Sequence, residues 1–422
     1  MYPASYYHAS AAELEAFPAV KGKQSCDVCI IGAGYTGLSA ALHLAEKNYD
    51  VVLLDAHRIG WGASGRNGGQ LSSGLRLEQV EIEKMLGLKW AKKLWQLGRE
   101  SNSLVRKLIE KHDIECNLKN GVLHANHRAR YSQHSRKEVE HLQSLYDYQE
   151  ITYLDQVAIR GMLGTKAYFS GTLDRGAAHL HPLKFAFGLA RAAIKAGVRV
   201  FEQTEVTQLI QTDPAVVVTR QGRVKARFVF VACNGYLGRL DKKTASRVMP
   251  INNFIIATQP LSEQLASELI QDDVAVADSK FVINYFRLSD DKRLLFGGGE
   301  NYSYRFPVDI KAFVRKPMLQ IYPQLGDIRI DYGWGGTLGI TRNRLPNFDR
   351  ITPNILTAGG YSGEGLGMGT FAGAVVAAAI DGTASRFDVL ASVPARRFPG
   401  GSMVRAPLLA LAMLYYSLRD KL

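Results

Sequence analysis

A chain of 422 residues, 46% hydrophobic and 22% charged with 40 glycines, has the make-up of a globular protein and length for two or three domains. Its composition excludes disorder and low complexity, no internal repeat is found, and four cysteines in such a length exclude a disulfide framework. The formal charge of +13 comes from Lys and Arg scattered in short pieces such as Arg128-Ala129-Arg130 and Lys242-Lys243, so a nucleic-acid surface is not expected. The basic field either draws in an anionic cofactor or substrate or has no special role.

The opening MYPASYYHASAAELEAFPAVKGK has no charged stretch ahead of an apolar core, so no secretory signal is expected. Residues 26–55 then read strand, tight turn, helix, strand. Cys26 and Cys29 lie in the first strand, where their spacing predicts opposite faces and no shared metal or redox pair. Gly32-Ala-Gly-Tyr-Thr-Gly37 follows the apolar strand 28–31 and opens the helix 38–47. A second apolar strand, 50–55, ends on Asp55, about twenty residues on, as a dinucleotide fingerprint requires. Gly32 permits the turn, Gly34 lets the backbone approach a pyrophosphate, and Gly37 lets helix and strand pack closely. The helix N-terminus, through Tyr35 and Thr36, supplies N–H donors to phosphates. Asp55 is placed to accept from a ribose hydroxyl. The stretch from Ala56 to Gln70 contains Gly60, Gly62, Gly65, Gly68 and Gly69, a loop suited to a large flat ligand or a tight backbone crossing. A nicotinamide enzyme has no need of it there, and a flavin is the expected ligand.

Downstream, 80–115 reads as helix by its apolar periodicity, 121–125 as strand, 132–147 as a polar helix, and 182–196 as a helix opened by Pro182. Strands are expected at 205–211, 215–220 and 223–232, then at 253–259, 281–288 and 293–297, followed by a helix within 305–322. Residues 355–360 are a further strand running into glycines, and 368–380 a helix of small residues. The apolar run 406–418 is too short to span a bilayer. It reads as a helix docked on the protein's own body or a second subunit, or resting on a membrane surface. The alternation predicts an α/β, Rossmann-type cofactor domain with a second, α+β substrate domain. The cofactor domain is expected to be discontinuous, with segments 1–80, 171–249 and 331–422, and the substrate domain to take 81–170 and 250–330. A cytoplasmic protein without a transmembrane segment is expected.

The pieces CDVCIIGAGYTGLSAALHLAE, RIGWGASGRNGGQL, RLLFGGG, RLPNF, GYSGEG and YYSLRDKL together resemble the FAD-dependent D-amino-acid-oxidase superfamily of glutathione-reductase-type Rossmann proteins. Within it they resemble the branch that oxidises γ-glutamylated polyamines in putrescine catabolism. That resemblance implies FAD as cofactor. It implies that Ala63, Ser64, Gly65, Arg66, Asn67, Gly68, Gly69 and Gln70 line the isoalloxazine and pyrophosphate, with Val206 giving backbone contacts to the adenine. It places Gly359, Gly360, Gly363, Gly365 and Leu366 against the flavin pyrimidine, with a helix N-terminus stabilising the reduced anion. No His or Cys stands in 61–71 or 359–369, where relatives attach flavin covalently, so non-covalent FAD is expected.

Flavin amine oxidation needs positioning and a deprotonated amine more than an acid–base pair, and no Ser–His–Asp or two-carboxylate site is expected. The arginines with which many members hold an α-carboxylate align with Leu338 and Gly363, and an oxygen-activating lysine aligns with Leu295. The remaining candidates are Glu364, whose carboxylate would reach a substrate ammonium or else is solvated, and Tyr285 and Arg287. These two alternate with Phe286 and face one side, either the substrate cavity or, for Arg287, a cross-strand ion pair. Tyr361 and Trp334 are further candidates, Trp334 more as core. His179 and His181 have metal-like spacing but no third ligand near, so no metal is expected. The expected activity is oxidation of an amine C–N bond, best a γ-glutamylated polyamine such as γ-glutamylputrescine, giving aldehyde and ammonia with oxygen as acceptor. A cyclic or N-alkyl amino acid (pipecolate, proline, sarcosine) is the rival substrate, and a flavin-binding electron-transfer subunit the rival role. A homo-oligomer is compatible with the sequence.

Overall fold

A computed structural model describes residues 1–301 and 306–399. The apolar run 406–418 and Arg305 lie outside these residues. Among the described residues there are two sheets, one of eight strands and one of nine.

The first sheet is built on the central strand Gly22–Ile31, paired in parallel with Gly222–Val231 on one side and Val51–Leu54 on the other. Ile355–Gly359 and Arg199–Phe201 extend it in parallel, and Asn347–Thr352 adds an antiparallel edge. The hairpin of Val206–Ile210 and Ala215–Thr219 hangs from Gly222–Val231. Because both faces of the central strand are covered, Val28 to Ile31 are all buried, and an unbroken apolar run is what such a strand requires. The helix Tyr35–Ala45 buries every residue but His43. Against it lies the helix Gly367–Ile380, and Gly373 is the contact point, since a Cβ there would meet the Ala40 backbone nitrogen at 2.6 Å. Small residues in that helix are the condition for two helices to stack on one sheet so closely.

The alternation expected for the cysteines does not hold. The amides of Asp27 and Val28 both donate to the Asp50 carbonyl, at 3.0 and 3.1 Å, an irregularity between the two cysteines that leaves the register with Gly222–Val231 unshifted. Cys26 and Cys29 consequently pack on the same side, in one cluster with Val52 and Leu54, as free thiols.

The second sheet runs in the order Ile330–Ile340, Met249–Thr258, Leu294–Asn301, Tyr285–Leu288, Ala275–Asp278, Lys119–Asn126, Ser170–His179 and Gln70–Leu71, with Ile151–Leu154 also on Ser170–His179. All its pairings are antiparallel except Ala275–Asp278 with Lys119–Asn126. Gln70–Leu71 and Ile330–Ile340 belong to this sheet by hydrogen bonding, so it reaches past the segment limits expected at 80 and 330. The expected single helix over 80–115 is two, Gln79–Leu86 and Leu88–Lys111, broken at Gly87 with φ of 84°. Among the described residues no helix is long and apolar enough to cross a membrane.

Candidate active site

A cavity of about 790 Å³ opens at the C-terminal ends of the parallel strands and continues to the face of the second sheet. Open α/β sheets bind ligands at that edge, where loops diverge from strand ends.

At one end stand Ile31, Asp55, Ala232 and Val206. Gly32, with φ of 109°, turns the chain here, and a Cβ on it would meet the Ala232 carbonyl oxygen at 2.8 Å. A Cβ on Gly37 would overlap the Gly32 carbonyl oxygen, so the helix can start this close to the strand only with glycine there. The Asp55 carboxylate accepts from the Ala33 and His57 amides at 2.7 and 2.8 Å. Burial pushes its carboxyl up to about 6 against those two donors, with the charge of Glu202 adding to the rise. Glu202 is fully buried; it accepts from the Phe17 and Ile59 amides and pairs with Arg58 at 2.6 Å, which fixes the chain leaving Asp55.

The middle of the cavity is the glycine loop crossing over the first helix. The Ser64 hydroxyl oxygen accepts from the Tyr35 amide at 3.0 Å, at a helix start where Gly34 offers no side-chain cap. Asn67 knots the loop by donating to the Ala63 and Ser64 carbonyls and to the Tyr35 hydroxyl while accepting from the Gly69 amide. Arg66 is 8% exposed, donates to the Gly335 carbonyl at 3.1 Å and lies 4.0 Å over the Trp61 ring. Its Nε and Nη2 have no hydrogen-bond partner among the described residues.

The far wall joins the second sheet to the turn before the helix Gly367–Ile380. Gly360, Ser362 and Gly363 are left-handed there, with φ of 70°, 55° and 113°. The Tyr361 hydroxyl meets that of Thr36 at 2.9 Å and locks this turn to the first helix. Glu364, half-exposed, lines the cavity beside Gly365 and Leu366, and the helix that follows has no side-chain cap on its first turn. Opposite stand Tyr285, whose hydroxyl hydrogen-bonds Asn253, and His124. Desolvation lowers the His124 pKa; Asp174 pulls it up, Arg76 down and Glu364 up. The imidazole is therefore neutral near pH 7.

Most of the residues singled out from the sequence reach this cavity: Gly32, Gly34, Tyr35, Thr36, Asp55, Ala63, Ser64, Arg66, Asn67, Gly68, Gln70, Val206, Tyr285, Tyr361, Gly363, Glu364, Gly365 and Leu366. Gly37, Gly65, Gly69, Gly359 and Gly360 do not line it, and Gly37, Gly65, Gly69 and Gly360 act by close backbone packing instead. Arg287 is not brought to it. Its guanidinium lies behind the glycine loop, donating to the carbonyls of Gly68, Leu180 and Leu288, so neither the substrate-facing nor the ion-pair expectation holds. Leu295 lies across the strand pair from it, buried. Trp334 is core, donating to the Arg66 carbonyl. His179 bonds the Asp273 carbonyl and His181 the Ser10 hydroxyl; burial, then Arg287, pushes both down to about 3. The sequence reading missed His124, Arg76 and Asn253. A histidine on an otherwise apolar strand was the one local signal for His124.

The residues fit FAD. The backbone comes close enough for a pyrophosphate only where Gly32, Gly34 and Gly37 omit a Cβ, two nitrogens of the Arg66 guanidinium lack an acceptor among the described residues, and the Asp55 carboxylate lines the cavity with two donors already placed.

Comparison with known proteins agrees. A family profile described as FAD dependent oxidoreductase matches residues 27–379. The chain is 40% identical over 418 residues to a probable oxidoreductase, OrdL, of Rhizobium meliloti (strain 1021), spanning 99% of this chain and 97% of that protein. It is 40% identical over 422 residues to gamma-glutamylputrescine oxidoreductase of Escherichia coli (strain K12), spanning 100% and 99%. Among solved structures, glycine oxidase from Geobacillus kaustophilus superposes with a TM-score of 0.73 at 20% identity, covering 89% of this chain and 100% of that one. L-proline dehydrogenase from P. horikoshii gives 0.72 at 20%, covering 88% and 96%. These two likenesses concern the fold.

Proposed function

The chain belongs to the FAD dependent oxidoreductase family, as an enzyme of the amine and amino-acid type, and on that premise we propose that it oxidises the primary amine of γ-glutamylputrescine or a similar γ-glutamylated polyamine. The observation that carries the proposal is the 40% identity to gamma-glutamylputrescine oxidoreductase over the whole of this chain. Physically, Glu364 in the cavity attracts an ammonium and repels an α-carboxylate, and Leu338 on the same wall offers no countercharge.

FAD supplies the acceptor for the hydride that leaves the carbon beside nitrogen. This chain's residues do the rest. Asp55 would hold the ribose by its free lone pairs, the backbone at Gly32 and Gly34 would lie against the pyrophosphate, and Arg66 would offer two unpaired donors. Glu364 draws in the cationic end of the substrate, and Tyr285 with Leu338 walls the reacting carbon from water. The product imine is hydrolysed to aldehyde and ammonia, and oxygen is the proposed final acceptor.

Anaerobic addition of γ-glutamylputrescine to the purified yellow protein should bleach its flavin absorbance, and denaturation should leave FAD, not FMN, in the supernatant. A second reading, oxidation of a cyclic or N-alkyl amino acid, is favoured by Arg76, an exposed cavity arginine without a hydrogen-bond or ion-pair partner among the described residues. Faster bleaching by pipecolate or proline than by γ-glutamylputrescine would establish that reading instead.

The raised Asp55 carboxyl has its own consequence. Near its value of about 6 the apoprotein passes from neutral acid below to carboxylate above, and the carboxylate is the stronger acceptor for ribose hydroxyls. FAD affinity should therefore rise as pH climbs through that value, and Asp55→Asn should flatten the dependence. Asp55→Ala should lower affinity about ten- to a hundredfold, the worth of a charged hydrogen bond. Quenching of FAD fluorescence on titration with apoprotein measures all three, and a pH-independent wild type would place the ribose elsewhere.

A further inference from the structure

The strands Ala275–Asp278 and Tyr285–Leu288 form a hairpin whose last pair in register is Ala277 with Tyr285. Beyond that pair the Asp278 amide donates to the Asn284 carbonyl at 2.8 Å, and the loop between them supplies Phe281 and Ile283 to the cavity wall. The base of this loop is fixed on both flanks. Asp278 is 5% exposed and does not itself line the cavity; its carboxylate turns back on the loop. Oδ1 accepts from the Lys280 and Asn284 amides at 3.2 and 2.9 Å, and Oδ2 from the Asn284 side-chain amide at 2.8 Å. Burial pushes this carboxyl up to about 6, against the Asn284 donors and the charge of Lys280, so it is ionised near pH 7. Asn284 sits where Gly298 omits a side chain, since a Cβ there would meet its Oδ1 at 2.6 Å. On the other flank the Ser279 amide donates to the Ala125 carbonyl at 3.0 Å, and the Ser279 hydroxyl oxygen accepts from the His127 amide at 3.1 Å. Taking a carboxylate out of water is costly, and here the donors that offset the cost belong to one loop.

We infer that Phe281 and Ile283 are specificity-determining residues that contact the carbon chain of the substrate, and that Asp278 is a positioning residue acting through them from outside the cavity. Ile283 stands two residues before Tyr285 and lines the same cavity, so the two side chains share a face roughly 7 Å apart. A carbon chain extending from the reacting carbon beside Tyr285 along this segment meets Ile283, and Phe281 beyond it. Both side chains are apolar, and the contact favours methylenes over a polar spacer. Each methylene taken out of water is worth about a fourfold gain in affinity. Without the Asp278 carboxylate, three N–H donors at the base of the loop lose their acceptor, and the tip loses the anchor that sets its place on the wall. The inference deepens the proposed amine oxidation and rests on it for the identity of the ligand. The contact itself does not depend on turnover.

The test mixes holoenzyme, without oxygen, with N-acetyl-1,5-diaminopentane or with its analogue carrying an ether oxygen in place of the central methylene. The concentration dependence of flavin bleaching gives a Kd and a limiting rate for each. Wild type should bind the hydrocarbon ligand about fourfold or more tightly than the ether. Phe281→Ala and Ile283→Ala should each weaken the hydrocarbon ligand by about fourfold or more and narrow the hydrocarbon-to-ether ratio, at unchanged flavin content and limiting rate. Asp278→Leu, which removes the acceptors at similar volume, should reproduce that loss, and Asp278→Asn, which keeps one acceptor oxygen, should restore most of the affinity. A merely structural role would lower flavin content or limiting rate instead of affinity for one ligand. Unchanged Kd in both tip variants, or loss of flavin from them, overturns the contact. A wild-type Kd in Asp278→Leu overturns the positioning role; should that variant not fold, Asn284→Ala, which removes one of the three donors, decides it by the same measure. A spectral shift without bleaching that the tip variants weaken upholds the contact and defeats the amine-oxidation reading. Bleaching with Kd values that both tip variants leave untouched does the reverse, and no response to either ligand defeats both.

Discussion

Gly37→Ala is expected to yield a protein that does not retain FAD. The added Cβ would overlap the Gly32 carbonyl oxygen and come within 3.3 Å of the Ile30 side chain. Gly32 cannot yield, because its amide is held by the Leu54 carbonyl at 2.7 Å and its positive φ is set by the turn. Nor can the helix slide outward, since Gly373 of the opposing helix is already packed on its other side. Overpacking of this kind costs about 1–3 kcal/mol and occasionally more, and here it falls on the turn that carries the pyrophosphate. Flavin content after gel filtration should drop at least about tenfold, the equivalent of 1.4 kcal/mol. Gly161→Ala is the control: its Cβ would meet nothing within 4 Å, and it should keep both fold and flavin. A Gly37→Ala protein carrying a full complement of FAD would show that the first helix can move.

Glu364→Gln should raise KM for the acylated diamine about ten- to a hundredfold, the range set by one charge-assisted interaction. The backbone of the turn does not depend on the charge, since the Glu364 amide donates to the Tyr361 carbonyl and its own carbonyl accepts from the Met368 amide. The substitution also has a kinetic signature that misfolding lacks. A carboxylate beside the bound amine stabilises its ammonium form and raises its pKa, whereas the reactive species is the neutral amine. Wild-type kcat should climb into the alkaline range, and Glu364→Gln should move that climb to lower pH while KM worsens. If neither KM nor the profile changes, the ammonium is held elsewhere and the cyclic amino acid reading gains.

The nucleotide end was legible because its information is local. Gly32, Gly34, Gly37 and Asp55 sit within one strand–helix–strand unit, so spacing alone predicts which backbone must approach what. The far end of the cavity was legible only in part: Tyr285 and Glu364 stood out, but His124 comes from a strand far from both in the chain, and no window of sequence joins the three. Arg287 shows the limit from the other direction. Alternation placed it on the same face as Tyr285, but its length carries the guanidinium past the cavity and under the glycine loop, where three backbone carbonyls were waiting. Cys26 and Cys29 failed for a smaller reason: the strand is irregular at Asp27, between them, and nothing in the side chains announces it.

The central strand Gly22–Ile31 carries a further consequence, for the protein's synthesis. One of its two neighbours, Gly222–Val231, lies some two hundred residues later in the chain, and the strand beyond that, Ile355–Gly359, later still. At about 5–20 residues per second the ribosome takes roughly 10–40 s to deliver that first neighbour. Throughout that interval one edge of an apolar strand stands open on the nascent chain, a template for pairing with the wrong partner. Closure of this sheet thus waits on a late, long-range pairing, and the yield of folded enzyme should rise with a holdase chaperone that covers the open edge.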